Sequence, residues 1–537
     1  MNGLKAWRNS LPVVVATLLL AALLRASAVE SYLDNGVVKV GIDLDKGGSI
    51  TYLSKSGTNE NVVNNYDLGR QIQQSYYSGP QPYNPSNNAS PNWPNWPWNP
   101  IQTGDCFGHP SLVLAHTNTG RLLYVKCRPM QWALNNVSGE CTFESWITLH
   151  GGVVTVSNRL VNLRTDTAEQ FAARDQELPA VYTIGRLFRL FSYAGPAPFT
   201  GDAVTNFPIV PPPWQNWLAT ESWAALVNVL DWGLGVYHPG AVRFTGGFTG
   251  TPGYGGPNNS STGYLSPNHS EILDSNIDYT YTYYLILGTL QEIRAWVYAQ
   301  AYRPTAHFRF CADRQHWSYR QTGDTGWPVN GRVRVSLDSY DPTMVSPVCA
   351  YSATNVPKLY VRAAYRIANP AGRATGQLFW QTAGDTAFSE ARSYRFPIVV
   401  DQQFHTYELA LSASNSYAGL ITWLRFDPAI SGGSGDYADV AWISPSPIGA
   451  AEPGRVRLAM AQTDGAVLLS FPTVSDACLS QEGHYYLHDL QWRTNLLSGA
   501  WQDVPGWSGI VGDGTTRTFT NPAPATATFF RVRVRLE

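Results

Sequence analysis

Two carboxylates stand two residues apart in the run Arg174-Asp175-Gln176-Glu177-Leu178-Pro179. In an extended strand, residues i and i+2 share a face, so Asp175 and Glu177 point the same way and Arg174 and Gln176 the other. Neighbouring carboxyl groups raise one another's pKa, and one of them can keep a proton near neutral pH. A glycosidase needs such an acid together with a second carboxylate acting as base or nucleophile. Glu177 is therefore expected as general acid. A partner two residues away is close for flanking a bond, so the second carboxylate is sought elsewhere in the chain. Glu221, two residues before Trp223, leads, with Asp175 beside it and Asp105 and Asp231 in reserve. The plain structural reading of the same run is an arginine–carboxylate cluster that only holds the fold.

Groups suited to gripping sugar hydroxyls gather in residues 67–77. Arg70 offers a rigid fork of donors, Gln71, Gln73 and Gln74 each donate and accept, and Tyr76 and Tyr77 add hydroxyls and ring faces. Alternation sets Arg70, Ile72 and Gln74 on one face and Gln71 and Gln73 on the other. Residues 91–100 carry Trp93, Trp96 and Trp98 among four prolines, a stiff loop that is neither helix nor central strand. Pyranose rings have apolar faces that pack on indoles. One tryptophan, Trp98, is expected to bind while the others pack. Gln102 and Trp223 complete the expected binding set with Arg174. Asp105 and His109 bracket a turn-like Cys-Phe-Gly segment that either presents a carboxylate beside an imidazole or merely holds a turn. A polysaccharide lyase would use other parts: an arginine to neutralise a uronate and a Tyr or His base. Arg70, Arg174, Tyr76, Tyr77, His109 and His238 could serve, and the slightly acidic chain ranks this below hydrolysis.

Several chemistries have no motif here: there is no nucleophile elbow, no His-Glu-x-x-His, no phosphate-binding loop and no dinucleotide fingerprint. No cofactor and no catalytic metal are expected. Asp274, Asn276 and Asp278 alternate as Ca²⁺ ligands sometimes do, but lack the glycine and terminal glutamate of an EF-hand, so a structural Ca²⁺ is left open without support. Across 537 residues only 14% are charged, the net charge is −2 and aromatics reach 13%. That balance excludes a nucleic-acid electrostatic footprint, a coiled coil and a disordered chain. Lys5 and Arg8, the apolar run 11–24 and Ala26-Ser27-Ala28 form a secretory signal with cleavage after Ala28. The mature protein is then exported, with no stable membrane insertion. Export permits disulfides among the six cysteines; Cys127 and Cys141 flank a hairpin, and Cys311 could pair with Cys349. Oligomeric state is not legible.

The elements that must position these groups are strands. Residues 37–42 and 49–53 alternate around a Gly-Gly turn, and the same signature recurs at 122–126, 143–147, 153–156, 224–228 and 279–287. No long amphipathic helix stands out. The fold class is all-β: a large super-sandwich over 29–302, a jelly-roll sandwich over 303–443, a Ser/Pro linker over 444–454 and a small fibronectin-like module over 455–537. Trp380, Trp423 and Trp442 are read as jelly-roll core.

Residues 29–300 resemble the galactose-mutarotase-like super-sandwich, on Gly-Gly-Ser-Ile-Thr-Tyr-Leu-Ser at 47–54 and the blocks at 67–77, 98–105, 174–182 and 219–223. Residues 303–443 are similar to galactose-binding-like jelly rolls, on Gln377-Leu378-Phe379-Trp380, Phe404-His405-Thr406-Tyr407 and Leu424-Arg425-Phe426-Asp427-Pro428. The last unit resembles C-terminal β modules of large secreted bacterial proteins, on residues 490–496 with Trp501 and the closing strand at 529–532. These resemblances imply a carbohydrate context. The expectation is a secreted glycoside hydrolase acting on a polysaccharide. A polysaccharide lyase and a non-catalytic glycan-binding or cell-surface protein stand as alternatives.

Overall fold

The computed structural model describes residues 30–166, 170–450, 456–463, 466–476, 478–479, 485–522 and 528–536. The expected signal segment lies outside them. None of the described helices is long and apolar enough to cross a membrane.

The chain is all-β, and its first two sheets form one sandwich. A ten-stranded antiparallel sheet runs in the order Glu30–Asp34, Val38–Asp43, Ser49–Lys55, Ile72–Ser75, Arg174–Ile184, Thr262–Glu271, Arg243–Thr249 and Gln215–Leu218, with Pro100–Ile101 and Met130–Gln131 off its path. A nine-stranded sheet faces it, built around Asp278–Thr289, Val153–Asn162 and Cys141–His150. Alternation makes the core: Val40, Ile42, Ile72, Val181 and Leu265 from one sheet meet Val125, Phe143, Val156, Leu226 and Leu285 from the other, all buried. Each such side chain contributes about 1.5–3 kcal/mol by leaving water.

The outer faces of the two sheets differ. The nine-stranded sheet is covered by the helix Leu290–Tyr298, which the sequence reading did not anticipate. Its start is encoded by a capping box, with Thr289 accepting from the Glu292 backbone and Glu292 reaching back to Thr289. Ile293 and Val297, four residues apart, bury against Trp223, Ala225 and Ile286. Loops, not a helix, wall the outer face of the ten-stranded sheet, and the candidate site lies there.

Strands from Phe308–Arg309 to Tyr437–Ser444 form a second sandwich of a five- and a six-stranded sheet around its own core. Smaller sheets of three and four strands follow between Ala459–Thr463 and Phe529–Leu536. The first and second sandwiches meet through the Arg314 guanidinium, which bonds Asp274 and Asp324 at 2.6 Å each, and through His316 stacked on His269 with ring centroids 4.0 Å apart. Cys311 is bonded to Cys478, tying the second unit to the third across 167 residues. The Cys311–Cys349 pairing that the sequence allowed is not formed. Cys349 is a buried thiol, as are Cys127 and Cys141.

Candidate functional site

The strand Arg174–Ile184 carries the site because its register breaks within it. It pairs Glu177 with Asn268 and then Val181 with Leu265, leaving an irregularity across residues 178–180. Pro179 has no backbone donor and fits a point where the ladder is interrupted. A bulge changes which side chains share a face. Leu178 and Val181 consequently turn into the core, while Glu177, Ala180 and Tyr182 face outward together.

These outward residues floor a groove of about 430 Å³. Gln73 and Ser75 from the neighbouring strand share the floor, and Trp93, Trp96, Trp132 and Trp214 wall it from loops. The rings brace one another: Trp93 and Trp96 lie 4.5 Å apart edge to face, Trp214 stacks on Tyr264 at 5.1 Å, and Tyr182 and Tyr264 are 4.7 Å apart. Asn99 accepts from the Trp96 indole at 2.9 Å and fixes its edge. A hollow of about 620 Å³ lies beside the helix and one of about 660 Å³ beside Arg174, and neither has an indole in its lining.

Glu177 is the partly buried carboxylate of this groove. Tyr77 donates its hydroxyl to Oε2 at 3.0 Å, and the Tyr264 hydroxyl donates to Oε1. Burial, and then the charge of Glu177, push both phenols well above their ordinary range, so both keep their protons. Both oxygens of Glu177 thus have a phenol partner, which fixes the orientation of its carboxyl group in the groove. Arg70 stands at the rim, paired with Asp67 at 3.1 Å, over the Tyr66 ring and bonded to the Ser260 carbonyl.

A second hollow of about 510 Å³ adjoins the groove and shares Tyr77 and Trp96 with it. Arg174, Asp175 and Ser270 line it. Asp175 is exposed and paired with Arg243 at 2.8 Å, and Arg174 bonds Gln81 at 2.7 Å. Glu177, Asp175, Arg70, Arg174 and Tyr77 are thus brought to one surface.

The other expected site residues lie elsewhere. Glu221 is fully buried beneath the helix, where Arg294, Tyr298, the Trp223 indole and the Phe199 backbone all donate to it. Burial pushes its carboxyl up, but these donors outweigh burial and hold it below the usual range. Trp223 is buried with it. Asp105 is buried and holds its loop by accepting from the backbones of Phe107, His109 and Asn136 and from the His109 ring. Asp231 pairs with Arg189. Gln71 is buried and bonded to the Asp67 carbonyl, and Gln102 bonds the Gln74 backbone and the Gly47 carbonyl. Gln74 and Tyr76 face the core, bonded to each other, and Gln73 looks into the groove; Arg70, expected on the face of Ile72 and Gln74, instead lines the groove with Gln73, because the strand begins only at Ile72. Trp98 is the tryptophan that packs, wholly buried with its indole on Glu140 and Arg164 over its face. Trp93 and Trp96 are the ones that present faces. Asp274 and Asp278, weighed as Ca²⁺ ligands, are paired with Arg314 and Arg159, and among the described residues no group of three or more metal-ligating side chains is placed to hold an ion.

Trp132, Trp214, Tyr182 and Tyr264 were missed. Trp132, Trp214 and Tyr264 come from separate places in the chain, and Tyr182, on the strand of Glu177, joins its face only through the register break between them.

No family model matches the chain, and no curated protein matches it. Solved structures do. A galactose mutarotase-like protein from Lactobacillus casei ATCC 334 shares 13% identity over 48% of this chain and 99% of that one, with a TM-score of 0.28. A galactose mutarotase related enzyme from Lactobacillus acidophilus shares 12% over 48% and 97%, at 0.28. The 4-alpha-glucanotransferase from Thermococcus litoralis shares 10% over 50% and 38%, at 0.26.

Proposed function

We propose that the groove binds a saccharide and that Glu177 reacts with it in glycosidic hydrolysis. The observation that carries this reading is one carboxylate, held on both oxygens by phenols, inside a groove walled by four indoles. Indole faces suit the apolar faces of pyranose rings, and the fixed polar groups between them suit the hydroxyls, the usual composition of a small-ligand site. In the reaction Glu177 takes a proton from the water that attacks the anomeric carbon. Asp175, two residues before it on the same strand, takes the second role in place of Glu221 and gives a proton to the leaving-group oxygen as the glycosidic bond breaks. Two residues of strand span about 7 Å, comparable to the roughly 6.5–9.5 Å between the carboxyl groups of inverting glycosidases.

The phenols argue against the lyase. A tyrosine base must give up its proton, and Tyr77 and Tyr264 are both pushed up by burial and by the adjacent carboxylate. Export is part of the proposal: the N-terminal signal pattern and the Cys311–Cys478 bond both suit an oxidising compartment.

The test is a polysaccharide panel read for new reducing ends and for the ultraviolet absorbance of unsaturated uronates, with Glu177→Gln alongside. Reducing ends without absorbance, lost in Glu177→Gln, support the proposal. Absorbance would mean elimination and would overturn it. Retention on a glycan gel without turnover would leave a binding protein.

A further inference from the structure

We infer that the saccharide path continues from the groove onto the second sandwich, ending at a distal subsite on Trp423, so that the ligand is an extended polysaccharide. This rests on the saccharide reading of the groove and deepens it.

The path is built from shared residues. The groove and the Asp175 hollow have Tyr77 and Trp96 in common. Asp175 is in turn paired with Arg243 at 2.8 Å, and Arg243 lines a third hollow of about 400 Å³. That hollow lies between the sandwiches: Trp217 and Leu218 come from the first, Gln381, Asp385 and Trp423 from the second. Three hollows thus follow one another, joined by an aromatic pair at one junction and an ion pair at the other.

Trp423 is placed as a platform. Sequence reasoning assigned it to the jelly-roll core with Trp380 and Trp442, and those two are indeed fully buried. Trp423 is only half-buried, pinned at one edge by its indole bond to the Ser346 carbonyl at 2.6 Å, with Phe388 6.2 Å away. A pinned, partly exposed indole beside a guanidinium, a carboxamide and the Asp385 carboxylate repeats the chemistry of the groove. Asp385 is itself held by Thr382 and Arg392. A single sugar would fill one hollow. The sequence of hollows suits a chain.

The experiment is affinity electrophoresis of the full chain in native gels containing xylan, galactan, a soluble cellulose derivative or polygalacturonate. Wild type is compared with Trp96→Ala, Trp423→Ala and Thr386→Trp; the last places bulk at an exposed position on the rim of the distal hollow, away from the core. The expected result is retardation by one polymer, weakened about fivefold or more by the two truncations, as loss of an aromatic anchor does, and likewise by Thr386→Trp through obstruction of the hollow. Retardation lost in Trp96→Ala but intact in Trp423→Ala and Thr386→Trp would overturn the distal subsite and leave the groove standing. Loss in the two distal variants but not in Trp96→Ala would overturn a connected path. No retardation in any gel would overturn both readings.

Discussion

Tyr77 donates its phenol to Oε2 of Glu177 at 3.0 Å, and the same ring stands where the groove meets the hollow lined by Asp175. One side chain therefore orients the carboxylate and separates the two compartments in which a glycosidic bond would lie. Glu177→Gln is expected to lower turnover on the active polysaccharide by about 10²–10⁴-fold, the range for a lost acid–base group. Tyr77→Phe removes one hydrogen bond to a charged group and is expected to cost about tenfold to a hundredfold in kcat. Equal activity in both variants and wild type would sink the assignment.

The tryptophan loop makes a sharper distinction. Trp98→Ala empties a fully buried site and removes one of the two rings that Arg164 lies over, so it should cost about 3–5 kcal/mol in a denaturant titration. Trp96→Ala, at a half-buried face, should change stability by no more than about 1 kcal/mol while weakening saccharide binding. The reverse pattern would restore Trp98 as the binding residue.

Glu221 is a stability residue here. Glu221→Gln leaves the half-buried Arg294 without its counter-charge, and the loss is expected to approach the roughly 3–5 kcal/mol of a broken buried pair. Because its folded pKa is depressed below 4.5, its contribution is present above that value and fades as pH falls through the folded pKa. A denaturant midpoint that falls with acid in wild type, and falls less steeply in Glu221→Gln, is the expected signature.

A histidine group adds a second acid-sensitive element at the junction of the sandwiches. Burial, and then the charge of His316, push His238 down to about 4. His238 is therefore neutral in the fold, while the unfolded chain takes up a proton near 6.5. Stability is lost as pH falls from about 6.5 towards 4, because the unfolded state binds more protons there. Thermal midpoints measured across that window should slope down with acid, and the slope should flatten in His238→Phe. Glu271 offsets the group by bonding His316, and His269 lies between the two rings.

Reduction of Cys311–Cys478 should release the last unit more readily than the first two. Closing so long a loop contributes about 2–4 kcal/mol. Limited proteolysis with and without reductant is expected to show faster cleavage after residue 444 only when reduced, with residues 30–298 protected in both. Arg309–Asp476 spans the same junction and should slow the release without preventing it.

Local pattern carried the architecture. Period-two alternation at 37–42, 49–53 and 279–287, with Gly-Gly turns between, specifies half-buried strands through nearest-neighbour geometry alone, and the strands lie where those patterns fall. Glu177 and Tyr77 were also legible, since a carboxylate beside arginine and a Gln/Tyr-rich run are unusual choices for strands that only pack. The helix Leu290–Tyr298 was less visible because only Ile293 and Val297 mark its buried face.

The assignment of faces and partners was decided by tertiary structure. Alternation separated Gln73 from Gln74, but which of them meets solvent depends on the sheet stacked opposite, a relation between residues far apart in sequence. Glu221 and Trp223 were attractive as a carboxylate beside an indole, and only the helix folding over them turned the pair into buried structure. The groove itself joins Trp93, Trp132, Glu177, Trp214 and Tyr264 across 172 positions of sequence. Side-chain type and spacing act locally, through backbone geometry. A site assembled from separate loops and strands is set by long-range packing, which no stretch of the chain encodes alone.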